Sequence, residues 1–254
     1  MTPHRGRLVL VPAPLDFGCD VATPLTDVLP DATLTRAAAI THWICENAKT
    51  ARAYLKRVGE IHPLGAPLRE QNIQELPREV HKRGDHAAPF DAAPLLAPAM
   101  QGDDIGLLSE AGMPAVADPG SSVVRSAHDQ GIEVVPLVGP VSILLALAAS
   151  GLNGQNFAFV GYVPQEPGPR AQRLRELEAI AIRQGQTQLF IETPYRNAVL
   201  WKALCDGLQP ATRLAVASGL TLPAATIVSA RVADWRQRAY PLSNDVPAVF
   251  AIGR

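Results

Sequence analysis

Apolar and polar positions fall into short blocks along this chain. Leu8-Val9-Leu10-Val11 is a continuous apolar run stopped by Pro12-Ala13-Pro14, the pattern of a strand buried on both faces that enters a loop. From Thr33 to Val58, Ala37, Ile40, Ile44, Ala48, Ala51 and Leu55 recur at helical spacing in an Ala-rich stretch with Gly59 beyond it, which predicts one or two helices. Between His62 and Met100 prolines and charges interrupt the pattern around one short predicted helix, Ile73 to His81.

From Ile105 the pattern sharpens. It predicts a strand over Ile105 to Leu108, a small-residue loop over Ser109 to Gly120 and a helix over Ser121 to Gln130 closed by Gly131. A strand over Ile132 to Leu137, a turn at Val138-Gly139-Pro140 and a helix over Val141 to Ser150 follow. This order is that of a parallel sheet with crossover helices, whose ligands bind at the carboxyl ends of the strands. Asn153 to Pro169, rich in Gly, Pro, Asn and Gln, reads as a boundary between a domain of residues 1–152 and one of residues 153–254. Beyond it, helices over Arg170 to Arg183 and Asn197 to Leu208 join strands over Thr187 to Glu192, Arg213 to Ala217, Thr226 to Ala230 and Val246 to Ile252. The fold class is α/β, in two α/β domains.

Composition narrows the class. With 254 residues, 47% hydrophobic and 19% charged, and a net charge of −1, the chain is that of a folded globular protein with a sizeable core. Its most apolar stretch, Val134 to Leu152, is broken by Pro136, Gly139 and Pro140, so no membrane span is expected, and a start without a signal h-region suggests the cytoplasm. Positive side chains outnumber negative ones only after Asn153, which makes that part the better place for an anionic partner. Cys19, Cys45 and Cys205 lack a C-x-x-C spacing and are expected to be inert thiols. His81 and His86 lack the spacing that puts two ligands on one helical face, and no metal is expected.

The segment Ser109-Glu110-Ala111-Gly112-Met113-Pro114-Ala115-Val116-Ala117-Asp118-Pro119-Gly120 carries the chemistry. A strand delivers the chain to a loop of Gly, Ala and Pro, where a ligand can approach the backbone, and a helix then begins with its free N–H groups toward the site. Spacing alone equally allows a tight strand-to-helix connection capped by Asp118 or Ser121.

This segment, with the following V-V-P-L-V-G-P-V-S, L-A-A-S-G-L and F-V-G-Y-V-P, resembles the tetrapyrrole methylase superfamily, and within it the ribosomal RNA small subunit methyltransferase I family of ribose 2′-O-methyltransferases. Weaker likeness extends to Arg69-Glu70-Gln71-Asn72 and Ile191-Glu192-Thr193-Pro194-Tyr195-Arg196. The resemblance implies a tetrapyrrole methylase-like fold, S-adenosylmethionine in a cleft between two α/β domains, and a homodimer. By motif it assigns the cofactor to Pro12, Gly112, Met113 and Ala115, to Ser142 and Ile143 after the G-P turn, and to Phe190, Ile191, Pro247 and Ala248 in the second domain. Phe190 and Ile191 read equally as core residues of a buried strand.

Methyl transfer from a sulfonium is an in-line displacement, helped by a base only where the acceptor is a hydroxyl. Glu110, Glu192 and Arg196 are the candidates for catalytic roles, with Tyr195 beside the last two. Three departures bear on the acceptor. Ala13-Pro14-Leu15-Asp16-Phe17-Gly18 replaces a G-N-L-x-D-I type loop, Glu46-Asn47-Ala48-Lys49 replaces an acidic-Asp-Thr-Arg motif, and Ala217 to Pro223 lacks the charges of an R-E-L-T-K stretch. Binding RNA ordinarily calls for such basic groups. The expected function is therefore methylation of ribosomal RNA, with a tetrapyrrole or other small-molecule acceptor, or cofactor binding without catalysis, as alternatives.

Overall fold

In the computed structural model the described residues are 5–16, 18–83, 85, 90–239 and 242–254; Phe17 of the first-strand loop and His86 lie outside them. Two compact units emerge, one formed by Met1–Phe17 and Thr23–Val141, the other by Gly18–Ala22 and Ser142–Arg254.

The first unit runs β1 (Leu8–Val11), α1 (Leu25–Val28), α2 (Asp31–Ala39), β2 (His42–Cys45), α3 (Ala48–Gly59), β3 (Asn72–Glu75), α4 (Arg78–Arg83), α5 (Ala97–Met100), β4 (Ile105–Leu108), α6 (Ser121–Asp129) and β5 (Val134–Pro136). Its sheet has the order β3-β2-β4-β1-β5 with every pair parallel. Alternation along the strands supplies two cores, as a sheet covered on both faces requires. Leu8, Ile44, Ile105 and Leu107 pack with Leu96 and Val123, whereas Val9, Val11, Trp43 and Leu108 pack with Leu34 and Leu55. Gly106 is needed where it stands, because a Cβ there would lie 2.5 Å from the Trp43 ring. That ring is held by Nε1 donating to Gln71 Oε1 at 3.0 Å.

The second unit runs α7 (Ser142–Ser150), β6 (Phe157–Tyr162), α8 (Pro167–Gln184), β7 (Thr187–Glu192), α9 (Asn197–Gly207), β8 (Arg213–Ser218), β9 (Thr226–Arg231), α10 (Val232–Trp235) and β10 (Ala248–Gly253). Its sheet order is β6-β7-β10-β8-β9, with β6 and β7 parallel and the other pairs antiparallel. Phe190 and Phe250, cross-strand partners, stack at 6.0 Å in its core.

Three predicted segments differ. His42–Cys45 is a strand, not part of a helix; Trp43, Ile44 and Cys45 are continuously buried at the sheet centre, and the helical spacing of Ile40, Ile44 and Ala48 spans a strand and two helix ends. Ile73 to His81 divides into strand β3 and helix α4. The stretch read as a boundary contains β6, and helix α7 packs on β8, β9 and β10, so the division falls before this helix rather than after it.

Candidate functional site

The carboxyl edge of the first sheet is built by two loops that clasp each other. Past β1 and β4, Ala13 N donates to Gly112 O at 2.9 Å and Gly112 N donates to Ala13 O at 3.1 Å. The β4 loop then turns through left-handed backbone at Gly112 (φ 71°), Ala115 (φ 63°) and Ala117 (φ 67°). Two alanines in that region cost roughly 1–2 kcal/mol each, strain that concentrates at ligand-binding turns.

The predicted residues of this unit meet here. Pro12 is buried against Gly139, where a Cβ would stand 2.3 Å from Pro12 Cγ, while Met113 and Ala115 are half-buried. The space beside Gly112 is smaller than expected: its Cβ would reach Leu15 Cδ2 at 3.2 Å and Pro140 O at 3.4 Å, so the missing side chain lets the two loops close together. Ser142 and Ile143 open α7 and belong to the second unit.

The start of α6 departs from both sequence readings. Two of the N–H groups there are taken, and not by Asp118. Asp85, distant in sequence, accepts from Gly120 N at 3.0 Å, Ser122 N at 2.7 Å, Ser121 Oγ at 2.9 Å and Ser122 Oγ at 2.8 Å. Burial alone would push the Asp85 carboxyl up, but these four donors override it and hold it at about 2. Nothing in the Pro- and charge-rich stretch around Asp85 signals this role, which only the folded chain creates.

Asp118 instead joins Glu46 and Glu110 in an acidic group. Glu110 N donates to Glu46 Oε1 at 3.3 Å, and Thr50 Oγ1 donates to Glu110 Oε1 at 3.3 Å. Burial, and then the charges of Glu46 and Glu110, push the Asp118 carboxyl up to about 7. Of the three carboxylates, sequence reasoning had singled out Glu110. Among the described residues no group of three or more His, Cys, Asp and Glu is placed to hold a metal ion, and no helix is long and apolar enough to cross a membrane.

In the second unit, Glu192 and Arg196 are engaged with each other. Arg196 Nη2 donates to Glu192 Oε1 at 2.7 Å, the Glu192 side chain being only 2% exposed. Thr193 adds its N–H to the same oxygen at 2.8 Å, and the Tyr195 ring lies 5.0 Å beneath the guanidinium. Hydrogen bonding to Glu192 raises the Arg196 pKa further. The Phe190 side chain is wholly buried against Phe250 and serves the core. Ile191, on the other face, is half-buried; Pro247 is exposed just before β10, and Ala248, the first residue of that strand, is buried.

Comparison with known proteins agrees with this architecture. The "Ribosomal RNA small subunit methyltransferase I" of Mesorhizobium japonicum is 36% identical over 205 residues, 79% of this chain and 62% of that protein. The Escherichia coli O157:H7 protein of the same name is 30% identical over 192 residues, 76% and 57% respectively. The chain thus spans less than two thirds of the length of these relatives. The crystal structure of the methyltransferase CobJ has the same fold, with a TM-score of 0.57 at 19% identity over 98% of this chain and 94% of that one. Residues 32–235 match the family model described as Tetrapyrrole (Corrin/Porphyrin) Methylases, and the chain belongs to that family.

Proposed function

We propose that this chain is an S-adenosylmethionine-dependent methyltransferase whose acceptor is ribosomal RNA, at a ribose 2′-oxygen. The observation that carries the reading is the clasped pair of loops after β1 and β4, strained at Ala115 and Ala117 and lined with carboxylates, in a member of this family. A cationic sulfonium suits that setting: Glu46 and Glu110 supply negative charge, and the Gly and Ala positions leave backbone groups within reach.

On this reading Pro12, Gly112, Met113 and Ala115 hold the cofactor in the first unit, mainly through backbone; in the second unit the Phe190 ring is spent on the core. The cofactor supplies an electrophilic methyl group; the chain's part is to align it and to receive the hydroxyl proton. A carboxyl near 7 is matched to proton exchange at neutral pH, and Asp118 is the group we assign to that step. Glu192 and Arg196, mutually paired, position their loop rather than react.

The names of the curated relatives support the RNA acceptor. The uncharged Ala217 to Pro223 stretch favours a second reading, a small-molecule acceptor such as a tetrapyrrole. A cytoplasmic homodimer is the form expected for either. Calorimetric titration with S-adenosylmethionine and S-adenosylhomocysteine tests the shared part: one site per chain is expected. Absence of binding at millimolar ligand would refute it.

A further inference from the structure

Helix α3 buries Ala51, Tyr54, Leu55 and Val58 in the first unit and leaves Lys49, Arg52 and Lys56 exposed on its other side. At 3.6 residues per turn these three positions fall within a sector of about 60° and span about 10 Å along the axis, a single file of positive charge. The helix itself contains no acidic residue. Other cations have carboxylates beside them: Arg57 on the flank of the same helix pairs with Asp16, Arg173 of α8 with Glu176, and Lys202 of α9 with Asp206. Lys49, Arg52 and Lys56 form no ion pair among the described residues, and a bond of 3.4 Å from Arg52 Nη1 to Ala48 O leaves that charge unmatched by any anion.

Helix stability does not account for this file. A positive charge in the first turn opposes the helix dipole, and like charges one turn apart repel, yet Lys49 stands in that turn with no acid in it. Composition does not account for it either, since residues 1–152 hold 12 Lys and Arg against 17 Asp and Glu. The backbone N–H groups at the helix start are already taken: Glu75 Oε1 accepts from Ala48 N at 2.6 Å, and Asn47 Oδ1 accepts from Lys49 N at 2.8 Å and from Thr50 N at 3.4 Å. Any anion must therefore be met by the three side chains, and their regular spacing suits a partner with repeated negative charge. Position names that partner. Strands β2 and β4 pair in parallel with Cys45 opposite Leu108, so α3 begins at the sheet edge where the β4 loop leaves, and Thr50 Oγ1 donates to Glu110 Oε1 at 3.3 Å. The file starts beside the loop that carries Glu110 and leads away from it.

We propose that the outer face of α3 is a phosphate track, on which Lys49, Arg52 and Lys56 hold the backbone of the acceptor RNA and lead its strand to the loops after β1 and β4. The proposal rests on the RNA reading of the acceptor. It puts the polyanion on the first unit, although positive side chains outnumber negative ones only after Asn153. Phosphate contacts of this kind position a strand without reading its sequence and make binding depend on salt.

The test changes Lys49, Arg52 and Lys56 together to Gln and, in a second variant, Arg175 and Arg183, exposed on α8, to Gln. Both variants and the unaltered chain are titrated with end-labelled single-stranded oligoribonucleotides of two unrelated sequences at a series of salt concentrations. For the α3 variant the expected slope of log affinity against log salt is shallower by about 2, since each lost contact to a single strand removes about 0.7. The loss should be the same on both sequences, with Tm and affinity for S-adenosylhomocysteine unchanged, and the α8 variant should keep the slope of the unaltered chain. An unchanged slope in the α3 variant, a loss confined to one sequence, or an equal loss per charge in the α8 variant overturns the track and leaves the RNA reading standing. Should the triple variant have a lowered Tm, the three single substitutions are read in its place, each expected to remove about 0.7 from the slope. Failure of the unaltered chain to bind either oligoribonucleotide would bring down the RNA reading, and the track with it.

Discussion

Ala13 and Gly112 exchange two backbone hydrogen bonds, at 2.9 and 3.1 Å, across the carboxyl ends of β1 and β4, so that two loops far apart in sequence are joined. Gly112 can do this because its φ of 71° and its lack of a Cβ let Leu15 and Pro140 close over it. Gly112→Val is therefore expected to destabilise the first unit by about 1–3 kcal/mol and to abolish cofactor binding together with the clasp. Thermal unfolding and titration of the same sample check this; unaltered stability would show that the pair is incidental.

Asp85→Asn tests the cap on α6. The carboxyl is held at about 2, below its ordinary 3.8, so its contribution is fully present above pH 4 and fades as the pH falls toward 2. The variant should lose about 2 kcal/mol at pH 7 and converge on the parent chain only as the pH falls through about 2. A constant difference across that range would mean that the charge is not what stabilises.

Asp118 has the opposite sign. Its carboxyl sits at about 7 when folded against 3.8 ordinarily, so the fold favours the protonated form and stability drops as the pH rises from about 4 to about 7. Asp118→Asn should raise the Tm at pH 8 and leave it nearly unchanged at pH 4. If Asp118 also receives the acceptor proton, the same variant loses methyl transfer while keeping cofactor affinity.

Arg196→Ala leaves Glu192 buried without its cation. A loss of about 2–3 kcal/mol is expected, below the figure for fully buried pairs because Arg196 is partly exposed. Changing Glu192 to Gln in the same chain should recover part of it. No loss in the single variant would return Arg196 to the candidates for catalytic roles.

The long periodic elements and the β4 loop were legible because each carries its own punctuation: the apolar run Leu8 to Val11 stopped by proline, and Ile105 to Leu108 opening into Gly and Ala. Strand β2 was not, since a four-residue strand with three consecutive buried positions has no period of its own and its neighbours complete a helical spacing. Strand β6 was hidden for a different reason: five of its six residues are Phe, Ala, Val and Gly set between turn-forming segments. The motif pointed to the two loops that the backbone clasps together, and Glu110 lies in one of them. Asp85 matters through partners that only packing decides, and no local pattern announces that.

The most direct test of the account is transfer of a labelled methyl group from S-adenosylmethionine by the purified chain to small-subunit ribosomal RNA, followed by alkaline digestion. The account predicts label in dinucleotides that resist cleavage, as a methylated 2′-oxygen requires. Label that appears only in cleavable mononucleotides, or none in RNA although the cofactor binds, would contradict it.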